Sequence, residues 1–296
     1  MELFRVLATF AEPPGAEAGR LADLLELGEH PSRADYTDLF VLQLPPYASV
    51  YAGAEGALGG EGRERVTAFW RVLGPSIPTE PDHLAVLLAL YAWLVEREEE
   101  IGAEDGEQGS RQREGRHHLR TTFLWEHLLN WLPPYLAKLQ AVAAPAYAAW
   151  GALLSRVLRE EAQRGGTPPP LSPHLRETPS LTHPGDGSLQ PLVRGLLVPV
   201  QSGIILTRAD LARAGHQFNL GIRVGERRMM LNTLLQQDGE KVLAWLSEEA
   251  AAWRSHHAAW RTVLGELAVF WEARAEATAR LLATLCDEAA QLSCQR

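Results

Sequence analysis

Residues 84–95, LAVLLALYAWLV, hold no charge and no helix breaker across twelve positions. That length falls short of the roughly 20 apolar residues needed to cross a bilayer, so the run predicts a buried core helix rather than a membrane anchor. The residues before it, Thr79-Glu80-Pro81-Asp82-His83, read as a helix start. Thr79 suits the N-cap, Pro81 suits the first turn where an N–H would be unpaired anyway, and Asp82 would sit at the positive end of the helix dipole. Capping accounts for Asp82 but leaves His83 unexplained.

Helical periodicity extends on both sides of this run. Leu21, Leu24, Leu25 and Leu27 mark one amphipathic segment, Tyr36, Leu39 and Phe40 a second, and Val66, Phe69, Trp70 and Leu73 a third, at spacings that place apolar side chains on one helix face. Beyond the acidic stretch 96–107 a further helix is expected over 110–131, and Pro133-Pro134 is expected to start another that runs to about Arg164. No segment of residues 1–165 shows the β-branched alternation of a strand. The expected fold is all-α: a helical bundle over 1–165, a proline- and glycine-rich linker over 166–190 and a mostly helical extension over 191–296. Within the extension, 193–207 is open to a short strand or an extended arm. Trp245, Trp253, Trp260 and Trp271 are spaced as a core seam along the last helices.

A chain of 296 residues, 46% hydrophobic and 22% charged, is large enough for one or two ordinary cores. The start MELFRVLATFAEPPG has neither a basic n-region nor a small-residue cleavage site, so the expected location is cytoplasmic. Cys286 and Cys294 are the only cysteines, which leaves no disulfide framework. Residues 1–165 contain 24 Asp/Glu against 15 Lys/Arg, a net −9, whereas 166–296 balance at 13 of each. Acidity confined to the first part argues against a nucleic-acid surface there and suits either a basic partner or simple solubility.

Ten histidines invite a metal or catalytic reading, yet none has the required company. HExxH, GxSxG, the P-loop and GxGxxG are all missing, and the adjacent pairs His117-His118 and His256-His257 point to different helix faces. The sequence therefore predicts no metal, no cofactor and no enzyme. Three polar-aromatic clusters stand out instead: Tyr36-Thr37-Asp38-Leu39-Phe40 leading into Pro45-Pro46-Tyr47-Ala48-Ser49-Val50-Tyr51, then Glu80-Pro81-Asp82-His83, then Glu126-His127-Leu128-Leu129-Asn130-Trp131-Leu132-Pro133-Pro134-Tyr135. Each alone reads as a loop, cap or helix end. In the first, a helix stopped by the prolines is expected to display Tyr47 and Tyr51 on a loop.

In this order, the motifs YTDLF, PPYASVY, EPDH and HLLNWLPPY resemble the cytoplasmic redox-enzyme maturation chaperones, the family typified by the trimethylamine-oxide and dimethyl-sulfoxide reductase chaperones. The resemblance covers about residues 20–160. It implies an all-helical protein that binds the twin-arginine signal peptide, and the folding body, of a molybdopterin oxidoreductase before export. For site residues it implies a signal-peptide groove involving Tyr36, Leu39, Phe40, Pro46, Tyr47, Tyr51, Glu80, Asp82 and His83, with His127, Trp131 and Tyr135 in the downstream motif. Tyr47 stands where some members carry Trp, and no residue separates Pro81 from Asp82, where some members have one. A monomer or a homodimer fits, without membrane insertion and without nucleic acid.

The competing reading rests on 206–235, where two helices around Gly221 carry Arg208, Arg213, Arg223, Arg227 and Arg228 in a helix-turn-helix-like order. It would make the chain a DNA-binding regulator with an acidic sensor half. No nucleotide-binding motif is present, although guanine nucleotides have been linked to some members of the resembling family.

Overall fold

The computed structural model describes residues 2–74, 76–100, 107–185, 187–223 and 225–294. All regular secondary structure among them is helical, joined by one isolated antiparallel bridge between Tyr47 and His83. The fold is all-α. Residues 101–106 of the acidic stretch and the side chain of Cys294 lie outside the described residues. The chain divides into two units, 1–49 with 58–169, and 50–57 with 170–296.

In the first unit the apolar run forms the helix Leu84–Glu100, with Leu84, Leu87, Leu88, Tyr91 and Ala92 wholly buried. Helix Glu2–Thr9 packs on one side of it, where Phe4 meets the Tyr91 ring edge-on at 4.8 Å. Helix Glu107–Phe123 packs on another. The Tyr91 hydroxyl donates to Glu161 at 2.6 Å and accepts from Arg120 at 2.9 Å, while Arg120 also pairs with Glu98. This buried network is tolerated because each charged member has an opposite partner.

Two stretches wind as wider π-turns, Thr37–Gln43 and Leu124–Leu129. In the first, Leu44 N–H reaches the carbonyl of Leu39 five residues back at 2.7 Å, and Leu39, Phe40 and Leu44 all turn inward. Phe40 packs edge-on against Tyr147 and Trp150 at 5.3 and 6.1 Å. In the second, Leu124, Trp125, Leu128 and Leu129 are all buried. The expected helix from Pro133 to Arg164 is instead two, Leu132–Val142 and Pro145–Arg164. Pro145 lacks the N–H that would continue the first and disfavours helical φ/ψ at Ala144, which is extended at ψ 155°.

The second unit is built on a hairpin of helices Gly239–Ala258 and Glu266–Cys294. Trp245 and Trp253 lie on the first arm, Trp260 in the turn and Trp271 on the second arm, all buried. The tryptophans therefore form a core shared by both arms rather than a stripe on one helix. His257 is stacked between Trp253 and Trp271, with ring centroids at 5.4 and 5.8 Å, and bonds the carbonyl of Gly203 at 2.7 Å. Residues 193–207 contain no strand: Gln190–Leu196 and Pro199–Ser202 are short helices, and Ile204, Ile205 and Leu206 run buried into the capping box of Thr207 and Asp210. Part of the segment read as a linker packs here too, through helix Pro173–Glu177 with Leu175 fully buried.

Candidate functional site

The prolines of PPY decide the local geometry. Pro45 and Pro46 have no N–H to donate, so the helix ending at Gln43 cannot continue and the chain runs extended past Tyr47. That extended segment pairs with the residues before helix Leu84–Glu100. Leu84 N–H donates to the carbonyl of Pro46 at 2.8 Å, and Ala48 N–H to the carbonyl of Asp82 at 3.0 Å. Every helix leaves its first N–H groups without internal partners. Here one of them is satisfied across the chain by a proline carbonyl.

The expected capping pattern is corrected by these contacts. Thr79 does not cap the helix; its carbonyl accepts from Arg63 at 2.8 Å. His83 itself occupies the N-terminal position, its carbonyl accepting from Leu87 at 2.9 Å and its Nδ1 from Ala85 N–H at 3.3 Å. Asp82 is buried and aims its carboxylate at a different segment, accepting from Ser49 N–H at 3.2 Å. The acid and the histidine thus have separate structural tasks. Asp82 fastens the end of the proline–tyrosine segment, and His83 starts the core helix.

Around His83 the accessible side chains are aromatic and acidic. The Tyr47 ring meets the His83 ring edge-on at 4.9 Å, and Tyr36 packs on Phe40 at 5.1 Å. Burial, a hydrogen bond to Glu80 and the charge of Glu80 push the Tyr47 hydroxyl up to about 12. Burial and then the charges of Glu12 and Glu80 raise Tyr36 as well. Burial lowers His83 against the opposing pull of Glu12, Glu80 and Asp82. A ring whose Nδ1 accepts from a backbone N–H is neutral, with its proton on Nε2, and Glu12 Oε1 lies 3.6 Å from the same Nδ1, beyond hydrogen-bond length.

The twelve candidate residues therefore fall into layers. Tyr36, Pro46, Tyr47, Glu80, Asp82 and His83 come together, with Tyr36 and Tyr47 partly exposed, Glu80 exposed and the rest buried. Leu39 and Phe40 lie beneath them in the core. His127, Trp131 and Tyr135 are also buried. His127 packs between Phe69 and Phe123 at 5.2 and 5.3 Å, the Trp131 indole donates to the carbonyl of His127, and the Tyr135 hydroxyl donates to the carbonyl of Leu44 at 3.2 Å, just ahead of the prolines. Tyr51 is not displayed with Tyr47. It is buried in the second unit, within the electrostatic reach of Arg227. Glu12 carries no sequence motif and reaches the site only through the fold.

In the basic stretch 206–235 two of the five arginines are engaged within the fold. The Arg227 guanidinium donates to the carbonyl of Leu206 at 2.9 Å, and burial lowers its pKa. Arg213 pairs with Asp210 and Glu249 at 3.0 and 3.2 Å. Arginines held in this way are less available to phosphates, and the DNA-binding reading gains no support from the fold. Among the described residues no three His, Cys, Asp or Glu side chains cluster as metal ligands, and no helix is long and apolar enough to cross a membrane.

Fold and site together define an all-α domain in which a proline–tyrosine segment is laid against an Asp-His helix start. Residues 8–137 match the family described as nitrate reductase delta subunit. Two TorD chaperone proteins of Vibrio vulnificus, from strains YJ016 and CMCP6, are each 32% identical over 110 residues, covering 34% of this chain and 48% of the relative. The chain thus spans about half the length of the curated relatives it matches. This segment is thus similar to the redox-enzyme maturation chaperones.

Proposed function

We propose that this protein is a cytoplasmic maturation chaperone of a molybdopterin oxidoreductase and that its first unit receives the twin-arginine signal peptide of that client. It acts by binding, not by turnover, as a monomer or homodimer. The observation that carries this reading is the pairing of Pro46-Tyr47 with Asp82-His83, which sets two half-exposed tyrosines beside exposed carboxylates. A peptide with a basic end and an apolar stretch finds complements to both there. The family match over residues 8–137 and the similarity to the TorD proteins support the same reading.

The test is calorimetric titration with the leader peptide of a molybdopterin oxidoreductase encoded beside this protein. Tyr36→Ala and Tyr47→Ala change partly exposed rings and should leave folding close to wild type. About tenfold weaker binding in either variant is expected, since truncating a contacting aromatic side chain costs more than about 1 kcal/mol. A wild-type protein that binds a scrambled leader as tightly as the authentic one sinks the reading.

A further inference from the structure

Asp82 is the acidic residue of the motif, but its carboxylate is buried and accepts from Ser49 N–H. A guanidinium would reach it only by displacing that bond. Two other carboxylates lie close enough to act on both Tyr36 and His83. The Glu12 side chain is 54% exposed and lies beside the neutral His83 ring, and Glu80 is exposed and bonded to Tyr47. Among the described residues neither has a lysine or arginine partner, whereas the nearby Glu17 is taken by Arg20 at 2.8 Å.

Glu12 also lines a second feature. A groove of about 240 Å³ runs from it between Phe10, Pro14, Leu21, Pro31 and Tyr147. Its walls are mainly apolar and include Tyr147, whose buried hydroxyl has no hydrogen-bond partner among the described residues. Buried hydroxyls are nearly always paired. An orphan donor beside an apolar groove therefore matches a ligand that brings a carbonyl along with apolar side chains, as an extended peptide does.

Resting on the chaperone reading above, we infer that Glu12 and Glu80, rather than Asp82, receive the arginines of the client peptide, and that the Glu12 groove takes the adjoining apolar residues with a backbone carbonyl on Tyr147. Charge complementarity and the continuity of groove and site through Glu12 commit the groove to this one occupant. Asp82 is a positioning residue that holds the proline–tyrosine segment.

The test uses the full chain and two synthetic peptides. One carries two adjacent arginines followed by an apolar run; the other has both arginines replaced by glutamine. Calorimetry is run on wild type, the double variant Glu12→Gln/Glu80→Gln and Tyr147→Phe, each with a thermal melt. In wild type, loss of the arginines should weaken binding about tenfold. In the double variant the two peptides should bind within about twofold of each other, a coupling that a purely structural role of the glutamates would not produce. Tyr147→Phe should bind the arginine peptide several-fold more weakly while melting no lower than wild type. Wild type that binds neither peptide overturns this inference together with the chaperone reading. Wild type that binds and discriminates, with the double variant discriminating equally, overturns this inference alone.

Discussion

Asp82→Ala removes the one side-chain acceptor of Ser49 N–H, in a residue only 1% exposed, across a 3.2 Å bond. Water cannot replace the lost acceptor, so the cost is that of a buried unpaired donor, about 1–3 kcal/mol, and a charged acceptor places it near about 2 kcal/mol. For a unit of this size about 2 kcal/mol corresponds to a fall of roughly 4–8 °C in its melting transition. Asp82→Asn keeps an acceptor oxygen in place and should cost less than Asp82→Ala, about 1 kcal/mol. Thermal melts of the three proteins give the global effect, and hydrogen exchange at the Ser49 amide gives the local one. If Asp82→Ala melts within about 1 °C of wild type with Ser49 equally protected, the carboxylate does not fasten the proline–tyrosine segment and the division of labour between Asp82 and His83 is wrong.

Two predictions concern the second unit. Burial lowers His257 from 6.5 to about 4, so the unfolded chain binds the extra proton first as pH falls. The stability it contributes is complete above about pH 6.5 and declines progressively to pH 4, in total by about 3 kcal/mol; denaturant titrations across that window should show the decline in wild type and a flatter profile in His257→Gln. Gly203 has φ 74°, and a Cβ there would lie 2.3 Å from the backbone nitrogen of Ala275. Gly203→Ala combines left-handed strain with overpacking and should destabilise by roughly 2–4 kcal/mol, read as a lower urea midpoint; an unchanged midpoint refutes the close approach.

The sequence by itself determined the class of fold, because residues spaced three and four apart declare a helix face without reference to the rest of the chain. It also determined the core position of Leu84–Val95, since an uncharged run of that length has to be buried. The order of the PPY and EPDH motifs was legible too, and with it the resemblance to the maturation chaperones. Partners distant in the chain were not legible. Thr79 looked like the cap because capping rules are local, but the N–H of Leu84 is satisfied by Pro46, thirty-eight positions earlier, and Asp82 turns to Ser49 instead. Tyr51 looked like a neighbour of Tyr47 by spacing, yet the chain passes into the other unit at Val50. Glu12 follows an apolar helix with nothing to mark it, and only the packing of helix Glu2–Thr9 on Leu84–Glu100 accompanies its arrival 3.6 Å from His83. Local geometry is written in the periodicity and the prolines. Which carboxylate stays exposed beside which ring depends on how separate helices pack, and that is a property of the tertiary structure alone.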